Sequence, residues 1–304
     1  MGRTPGPEPE IRLGADGERV EVRARVAASP DEAWCAMTAR DRVERWLGTL
    51  SAELRRDAEG LRLDFGDGDF FEFENVTLDA SAHRLAFGWR FMGCAPRDAI
   101  ELSVAPSGRG AVVKASDAQP GRGRDASLAL GSGWRDFLSR LQLHLATGQR
   151  TRYDWRSDVD VAIELPIPAA RARGVLIPAA ADWLVLEGGE DLFAARALRL
   201  DGGGTSTLAI DGVEPAGNGS VRFNARPAGL RRPTTCEMAI EPRGDDGNAT
   251  LLTIHQTGFR ALDADDGVRR QWRSRCAIAW IAAARRAREL ADAEVASGRT
   301  CTYR

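Results

Sequence analysis

The chain has 304 residues, of which 43% are hydrophobic and 28% charged, a composition typical of one large or two average globular domains. Its net charge of −2 argues against a general attraction to nucleic acid or to an anionic membrane. No apolar run reaches the ~18 residues of a membrane span, and the N-terminal stretch lacks the apolar middle of a signal peptide. The 5 scattered cysteines indicate reduced thiols, so we expect a cytoplasmic protein.

The first half begins with a strand and two short helices. Apolar and polar residues alternate over 19–27, which predicts a strand. Ser29 then has the features of an N-cap, and Pro30 those of a first helical residue. A second short helix contains Trp46. Five further strands are predicted at 60–65, 69–78, 84–91, 99–105 and 111–116.

A long amphipathic helix over 131–148 ends this half, with Ser132 predicted as its N-cap and Gly148 as its stop. Its apolar stripe consists of Trp134, Phe137, Leu138, Leu141 and Leu145. The order of strand, short helices, strands and closing helix favours an α+β domain with a curved antiparallel sheet.

The second half repeats this order at an offset close to half the chain. A strand over 158–165 is followed by two short helices within 166–186, where Trp183 stands in the place of Trp46. Strands are predicted at 192–200, 205–213, 220–225, 235–241 and 250–257. A closing helix spans 268–295.

We therefore predict two tandem domains. The proposed division is a flexible N-terminal tail over 1–17, a first domain over 18–148, a connector over 149–156, a second domain over 157–297 and a C-terminal tail over 298–304.

Four stretches of the first half resemble the START-like helix-grip (SRPBCC) superfamily, and most of all its branch of heat-shock ATPase-activator homologues. They are VAASPDEAWCAMT, VERWLG, FEFENVTLDASAHRLAFGWRF and GSGWRDFLSRLQLHL. The second half resembles the family more weakly, mainly through HQTGF at 255–259. The resemblance implies, for each half, a bent sheet that grips the closing helix and leaves a hydrophobic cavity between them.

Strand parity and helical spacing suggest which side chains would line such cavities. The same residues would equally form a packed core. In the second half, the small side chains of Ala279 and Ala283 would leave room for a ligand. The predicted lining residues are Phe71, Phe73, Phe87, Trp89, Phe91, Trp134, Phe137, Leu141, Trp183, Trp272, Cys276, Ala279, Trp280 and Ala283.

Polar groups for catalysis are few. Arg90, His255 and Gln256 are the candidates, although a buried histidine bonded to a neighbour is the commoner arrangement. Of the other histidines, His83 is expected in a turn and His144 on the outside of the closing helix. Neither a metal-ligand spacing nor a nucleophile motif is present, so we expect no metal and no cofactor.

Tandem domains of this type resemble di-domain polyketide aromatase/cyclases and the START-like proteins of enediyne antibiotic clusters. The first hypothesis is a protein of bacterial secondary metabolism that binds a hydrophobic polyketide or polyene, for biosynthesis or self-protection. Alternatives are a cofactor-independent cyclase/aromatase and a chaperone-accessory interaction module; whether the chain is an enzyme stays open. We expect a hydrophobic small molecule as partner, no nucleic acid, no membrane insertion, and a monomer or weak dimer.

Overall fold

The computed structural model describes most of the chain. The described residues are 4–56, 60–152, 156–189, 191–200, 206–216, 220–243 and 247–297. They form two compact units. The described residues up to 152 make the first unit, except 67–69 and 94–96, which join 156–297 in the second. Parts of the predicted connector (153–155) and the predicted C-terminal tail (298–304) lie outside the described residues.

The first unit is an antiparallel sheet with a long last helix. Its strands are β1 (Glu10–Leu13), β2 (Arg19–Val26), β3 (Thr49–Leu50), β4 (Arg62–Asp64), β5 (Phe70–Asp79), β6 (Arg84–Phe91), β7 (Asp98–Ser107) and β8 (Gly110–Ala118). Its helices are α1 (Pro30–Thr38), α2 (Arg40–Trp46) and α3 (Arg124–Thr147). The strand order is β1-β2-β8-β7-β6-β5-β4-β3. All the strands predicted for this half are present; β6 has the predicted bounds, and the other predicted strands have shifted ends.

The start of α1 follows from local sequence chemistry. The Ser29 hydroxyl accepts a hydrogen bond from the Glu32 amide at 3.2 Å, and the Glu32 carboxylate accepts one from the Ser29 amide at 2.9 Å. This capping box satisfies two amides that the helix itself leaves unpaired. The predicted roles of Ser29 and Pro30 are confirmed.

The helix α3 begins earlier than predicted. Its N-cap is Gly123, and Ser132 lies inside the helix, where its hydroxyl donates to the Leu128 carbonyl. A Cβ at Gly131 would approach the Val20 and Ile11 side chains to 2.8 and 2.9 Å. The glycine therefore permits close helix–sheet packing instead of breaking the helix. The predicted stop is confirmed, because Gly148 adopts a left-handed conformation with φ 72°.

Part of the predicted flexible N-terminal tail is a strand. β1 pairs antiparallel with β2, with Ile11 opposite Val22 and Leu13 opposite Val20. Ile11 and Leu13 pack against the core of the unit, while the residues between and before them face outward. Four residues were too few for the alternation to be recognised in the sequence.

The second unit repeats the architecture with a longer closing helix. Its strands are β9 (Val159–Leu165), β10 (Leu186–Glu187), β11 (Ala197–Leu200), β12 (Ser206–Pro215), β13 (Val221–Pro227), β14 (Thr234–Arg243) and β15 (Ala249–Thr257). Its helices are α4 (Ala169–Leu176), α5 (Ala180–Trp183) and α6 (Asp266–Ala296). The antiparallel order is β10-β11-β12-β13-β14-β15-β9.

Two local predictions for this unit are corrected. The predicted strand over 192–200 is shorter, because Asp191 holds a turn: its side chain accepts from the Ala194 amide at 2.8 Å and its carbonyl from the Ala195 amide at 2.9 Å. The sequence predicts that Pro166 and Pro168 disturb the first helix, but Pro168 occupies the N-cap position of α4, so both prolines precede the helix.

The predicted fold class is confirmed: the chain is α+β, with curled antiparallel sheets and a long helix after the last strand of each unit. Among the described residues, no helix combines the length and apolarity needed to cross a lipid bilayer.

Candidate functional site

The aromatic residues predicted to line a cavity in the first unit pack against one another. The ring centroids of Phe71 and Trp89 lie 3.8 Å apart, those of Trp89 and Trp134 5.1 Å, and those of Phe73 and Phe87 4.5 Å. Stacking this close makes these rings part of the core in this structure. Phe91, Phe137 and Leu141 adjoin the same cluster. Their role as ligand contacts stays a prediction.

A buried ionic network at the start of α3 was missed by the sequence analysis. Asp117 accepts hydrogen bonds from the Trp134 indole at 2.8 Å and from the Arg122 guanidinium at 2.9 Å. Arg122 also contacts Asp98 and Ser127. Burial raises the pKa of the Asp117 carboxyl, while the Trp134 and Arg122 hydrogen bonds oppose that rise. A charged residue in the strand just before the closing helix was the available signal.

The second unit has a neutral polar chain at its closing helix, which includes the candidate Gln256. The Trp280 indole donates to the Gln256 side-chain oxygen at 2.6 Å, and the Gln256 amide donates to the Thr234 hydroxyl at 2.7 Å. Gln256 is fully buried. Because both ends of its amide are used, the arrangement indicates a structural role for Gln256.

The other two polar candidates lie elsewhere. His255 is half exposed and contacts Asp160 across β15 and β9, on the sheet face opposite Gln256. Arg90, in the first unit, forms an ion pair with Glu74 at 2.8 Å. The structure therefore does not bring His255 and Gln256 to one site.

The remaining histidines differ in outcome. His83 lies in a turn with φ 47°, as predicted. His144 was predicted to point outward, but it is 5% exposed, whereas Leu143 is 41% exposed. His144 follows the buried Leu141 by three residues, so it shares its helix face. Its Nδ1 contacts the Gln149 carbonyl at 2.7 Å. Among the described residues, no cluster of potential ligands could hold a metal ion.

Small residues of α6 do not leave a ligand-sized space beside them. All the predicted inward residues of this helix are buried: Trp272, Cys276, Ala279, Trp280 and Ala283. The space next to Ala279 and Ala283 is only about 10 Å³, room for about one water molecule. Their small side chains instead allow the helix to approach Leu198 and Leu200 of β11.

A larger apolar cavity, of about 140 Å³, lies elsewhere in the second unit. Strands β13, β14 and β15 provide one wall, and α4, α5 and the turn at 191–193 provide the other. Of the predicted lining residues, it contains Trp183. The full lining is Leu176, Ile177, Pro178, Ala180, Trp183, Leu184, Asp191, Leu192, Phe193, Val221, Met238, Ile240 and Leu252.

The chemistry of this cavity is simple. Trp183 donates its indole N–H to the Leu176 carbonyl at 2.9 Å, so its polar atom is already paired. Among the described lining residues, Asp191 supplies the only ionisable side chain, and it already caps the Ala194 amide. At the rim, Phe193 is 50% and Ile177 43% exposed. Two exposed apolar side chains beside an apolar cavity are typical of a small-molecule entrance. The apolar run around Ile177 was the sequence signal.

Comparison with solved structures supports the fold. No protein-family model and no curated protein matches the chain. Among solved structures, the chain is similar to DynU16, a protein in the dynemicin biosynthetic locus. The two share 29% identity over 90% of this chain and 99% of DynU16, with a TM-score of 0.80.

Two other solved structures show weaker likeness. The di-domain ARO/CYC StfQ from the steffimycin biosynthetic pathway has 15% identity over 91% of this chain and 99% of StfQ, with a TM-score of 0.33. CalU16 from Micromonospora echinospora has 24% identity over 44% of this chain and 80% of CalU16, with a TM-score of 0.34. At TM-scores this low, neither supports a functional conclusion. The particular resemblance to heat-shock activators stays a prediction.

Proposed function

We propose that the chain is a helix-grip protein of bacterial secondary metabolism that binds an apolar polyketide or polyene ligand, of the enediyne type, for biosynthesis or self-protection. The observation that carries this proposal is the cavity of about 140 Å³ with an almost wholly apolar lining in the second unit. The likeness to DynU16, from a dynemicin biosynthetic locus, supports the metabolic setting.

The size of the cavity constrains the ligand. An apolar cavity of about 150 Å³ can hold a benzene-sized molecule. Burying one such ring would contribute about 1.5–3 kcal/mol, whereas micromolar binding needs about 8 kcal/mol. The ligand must therefore extend beyond the cavity, over Phe193 and Ile177 at its rim. A neutral, elongated molecule with one ring or polyene end inside satisfies both requirements.

Binding is favoured over turnover by the position of the polar candidates. Neither Gln256 nor His255 lines the cavity, and the Gln256 amide is already occupied at both ends. The cavity also favours a ligand-binding role over the chaperone-accessory alternative, which predicts a filled interior and an exposed apolar patch.

A fluorescent polyene tests the proposal directly. Titration with 1,6-diphenylhexatriene is expected to give saturable binding, followed by dye fluorescence and by quenching of tryptophan. Ile240→Phe, which fills the cavity, should abolish it, and Phe193→Ala at the rim should weaken it about tenfold, the loss expected for about 1.4 kcal/mol of apolar contact.

The matched control is Leu128→Ala, which removes a comparably exposed apolar side chain (41%) from the first unit. This variant should bind as the unmodified protein does. Non-saturable binding, or equal losses in Leu128→Ala and Phe193→Ala, would count against the cavity as the ligand site.

A further inference from the structure

A cleft of about 450 Å³ in the first unit lies between α1, α2 and the end of α3. Its lining is Glu32, Cys35, Ala36, Arg42, Arg45, His144, Leu145 and Gly148. Unlike the apolar cavity, this cleft combines two guanidinium groups with an imidazole and a thiol. We propose that it binds a small molecule through an oxyanion, a carboxylate or a phosphate. This inference is independent of the proposed ligand of the second unit.

The positive side chains of the cleft come from one helix face. Arg42 and Arg45 are three residues apart on α2, so they project side by side. The Arg45 guanidinium donates to the Gly148 carbonyl at 3.2 Å, which holds it at the cleft. A guanidinium has five N–H donors in a planar fork that matches the oxygens of carboxylates and phosphates. Arg45 therefore keeps donors for a ligand.

Nearby negative charges compensate these arginines only weakly. Glu32, the acidic residue of the lining, is used in the capping box, where its carboxylate accepts the Ser29 amide at 2.9 Å. Asp41 lies 3.8 Å from Arg42, and its side chain is 81% exposed. An exposed pair at that distance contributes little, so the lining stays net positive.

His144 adds a positioned hydrogen-bonding group. Its Nδ1 lies 2.7 Å from the Gln149 carbonyl, which can only accept, so Nδ1 carries a hydrogen. Nε2 is then the second polar atom of the ring that a ligand could contact.

The frame of the cleft is held by backbone and side-chain bonds. The Trp46 indole donates to the Ala36 carbonyl at 2.9 Å, which ties α2 to α1. The Arg45 carbonyl accepts from the Thr151 amide at 2.8 Å. Groups held in this way lose little freedom when an anion binds. The volume fits a small molecule, with Ala36 and Leu145 available for its apolar part.

Cys35 is an exposed thiol inside this cleft and serves as a built-in reporter. Iodoacetate, an anion, and iodoacetamide, its neutral analogue, both alkylate a thiolate: the C–S bond forms as the C–I bond breaks and iodide leaves. Peptide mass spectrometry resolves Cys35 from the other cysteines. The ratio of the two rates at Cys35 measures attraction of the anion by the cleft.

Arg42→Gln is expected to lower the iodoacetate-to-iodoacetamide ratio about two- to fivefold, the range for one exposed charge interaction. The matched control is Arg40→Gln on the same helix, where Arg40 pairs with Glu44 at 3.4 Å outside the cleft. Retained protection of α1 and α2 amides from hydrogen exchange shows that each variant is folded. An equal fall in both variants, or no fall in Arg42→Gln, overturns the proposal.

Protection of the unmodified protein provides a test without substitutions. At constant ionic strength, inorganic phosphate or acetate should slow the reaction of Cys35 with iodoacetate. Protection by phosphate alone assigns a phosphate ester, by acetate alone a carboxylate, and by both a general oxyanion site. Protection by neither overturns the proposal.

Discussion

In both units a tryptophan indole on the closing helix donates a hydrogen bond to the strand before it, but the acceptor is chemically different. In the first unit the Trp134 indole on α3 donates to Asp117, at 2.8 Å. In the second the Trp280 indole on α6 donates to Gln256, at 2.6 Å. Asp117 and Gln256 are both the next-to-last residue of the strand before the helix. A buried indole needs an acceptor, and this strand end supplies it in both units.

The two acceptors differ in their charge and in the groups that pair with them. Asp117 is a buried carboxylate whose charge is met by Arg122, with a side chain only 6% exposed. Gln256 is neutral and passes its hydrogen bond to Thr234, which donates to the Ala225 carbonyl at 2.7 Å. One geometry therefore tolerates either an ion pair or an amide, but removing the acceptor should cost more stability where a charge is left behind.

The largest effect is expected for Asp117→Ala. It leaves Arg122 with Asp98 as its remaining acidic partner and the Trp134 indole unpaired. We expect a loss of about 3 kcal/mol or more in the free energy of unfolding of the first unit. Denaturant unfolding with hydrogen exchange of α3 peptides measures it. Asp125→Ala, an exposed acid in the first turn of the same helix, should cost no more than about 1 kcal/mol. Similar losses in both variants would refute a special role for the buried Asp117 carboxylate.

A smaller effect is expected for Gln256→Leu in the second unit. The substitution leaves the Trp280 indole without an acceptor but leaves no charge, so we expect a loss of about 1–3 kcal/mol. The same unfolding measurement, read from α6 peptides, applies. His255→Leu, at the neighbouring half-exposed position, should change stability by about 0.5–1 kcal/mol or less. If Gln256→Leu lowers the free energy of unfolding as much as Asp117→Ala does, the charge of the acceptor does not distinguish the two units.

The second unit should also lose stability in alkali. Burial raises the pKa of the Cys276 thiol from 9.0 to about 12. Above pH 9 the unfolded chain releases this proton while the folded unit keeps it, so stability falls as pH rises from 9 towards 12. Per pH unit the slope approaches about 1.4 kcal/mol for one such group. Unfolding at pH 8, 9 and 10 should show a flatter slope in Cys276→Ala. The exposed Cys35→Ala should retain the original slope; a flattening there too would contradict this assignment.

The smallest effects are expected for alanine substitutions of two glycines on α3. At Gly131 a Cβ would press on Val20 and Ile11, so Gly131→Ala should lose about 0.5–2 kcal/mol after the gain in helix propensity. A Cβ added at Gly133 would meet no atom outside the helix's own neighbouring backbone within 4 Å, so Gly133→Ala should gain about 0.5–1 kcal/mol of stability. Thermal unfolding of the first unit measures both. The two changes in stability must have opposite signs. A gain in stability for Gly131→Ala would mean that the helix does not lie this close to β1 and β2.

Elements that depend on local chemistry could be predicted from the sequence. The N-cap at Ser29, the helix stop at Gly148 and the alternation of β2 and β9 are properties of neighbouring residues, and they were predicted. The repeated order of strands and helices led to the α+β fold for the same reason. Gly131 shows the limit: the sequence predicts that the helix begins there, but the structure places Gly131 inside the helix, packed close to Val20 and Ile11.

Which residues come into contact depends on the packing of the elements and could not be predicted from local patterns. Trp272 stands at the sequence offset that matches Trp134, yet Trp280, two helical turns later, makes the equivalent bond. Gln256 and His255 are adjacent in sequence but face opposite sides of the sheet, because side chains alternate along a strand. The apolar cavity joins short helices to strands far along the chain, with Leu176 and Leu252 both in its lining. Such cavities depend on how elements pack together, so a local sequence pattern does not predict them.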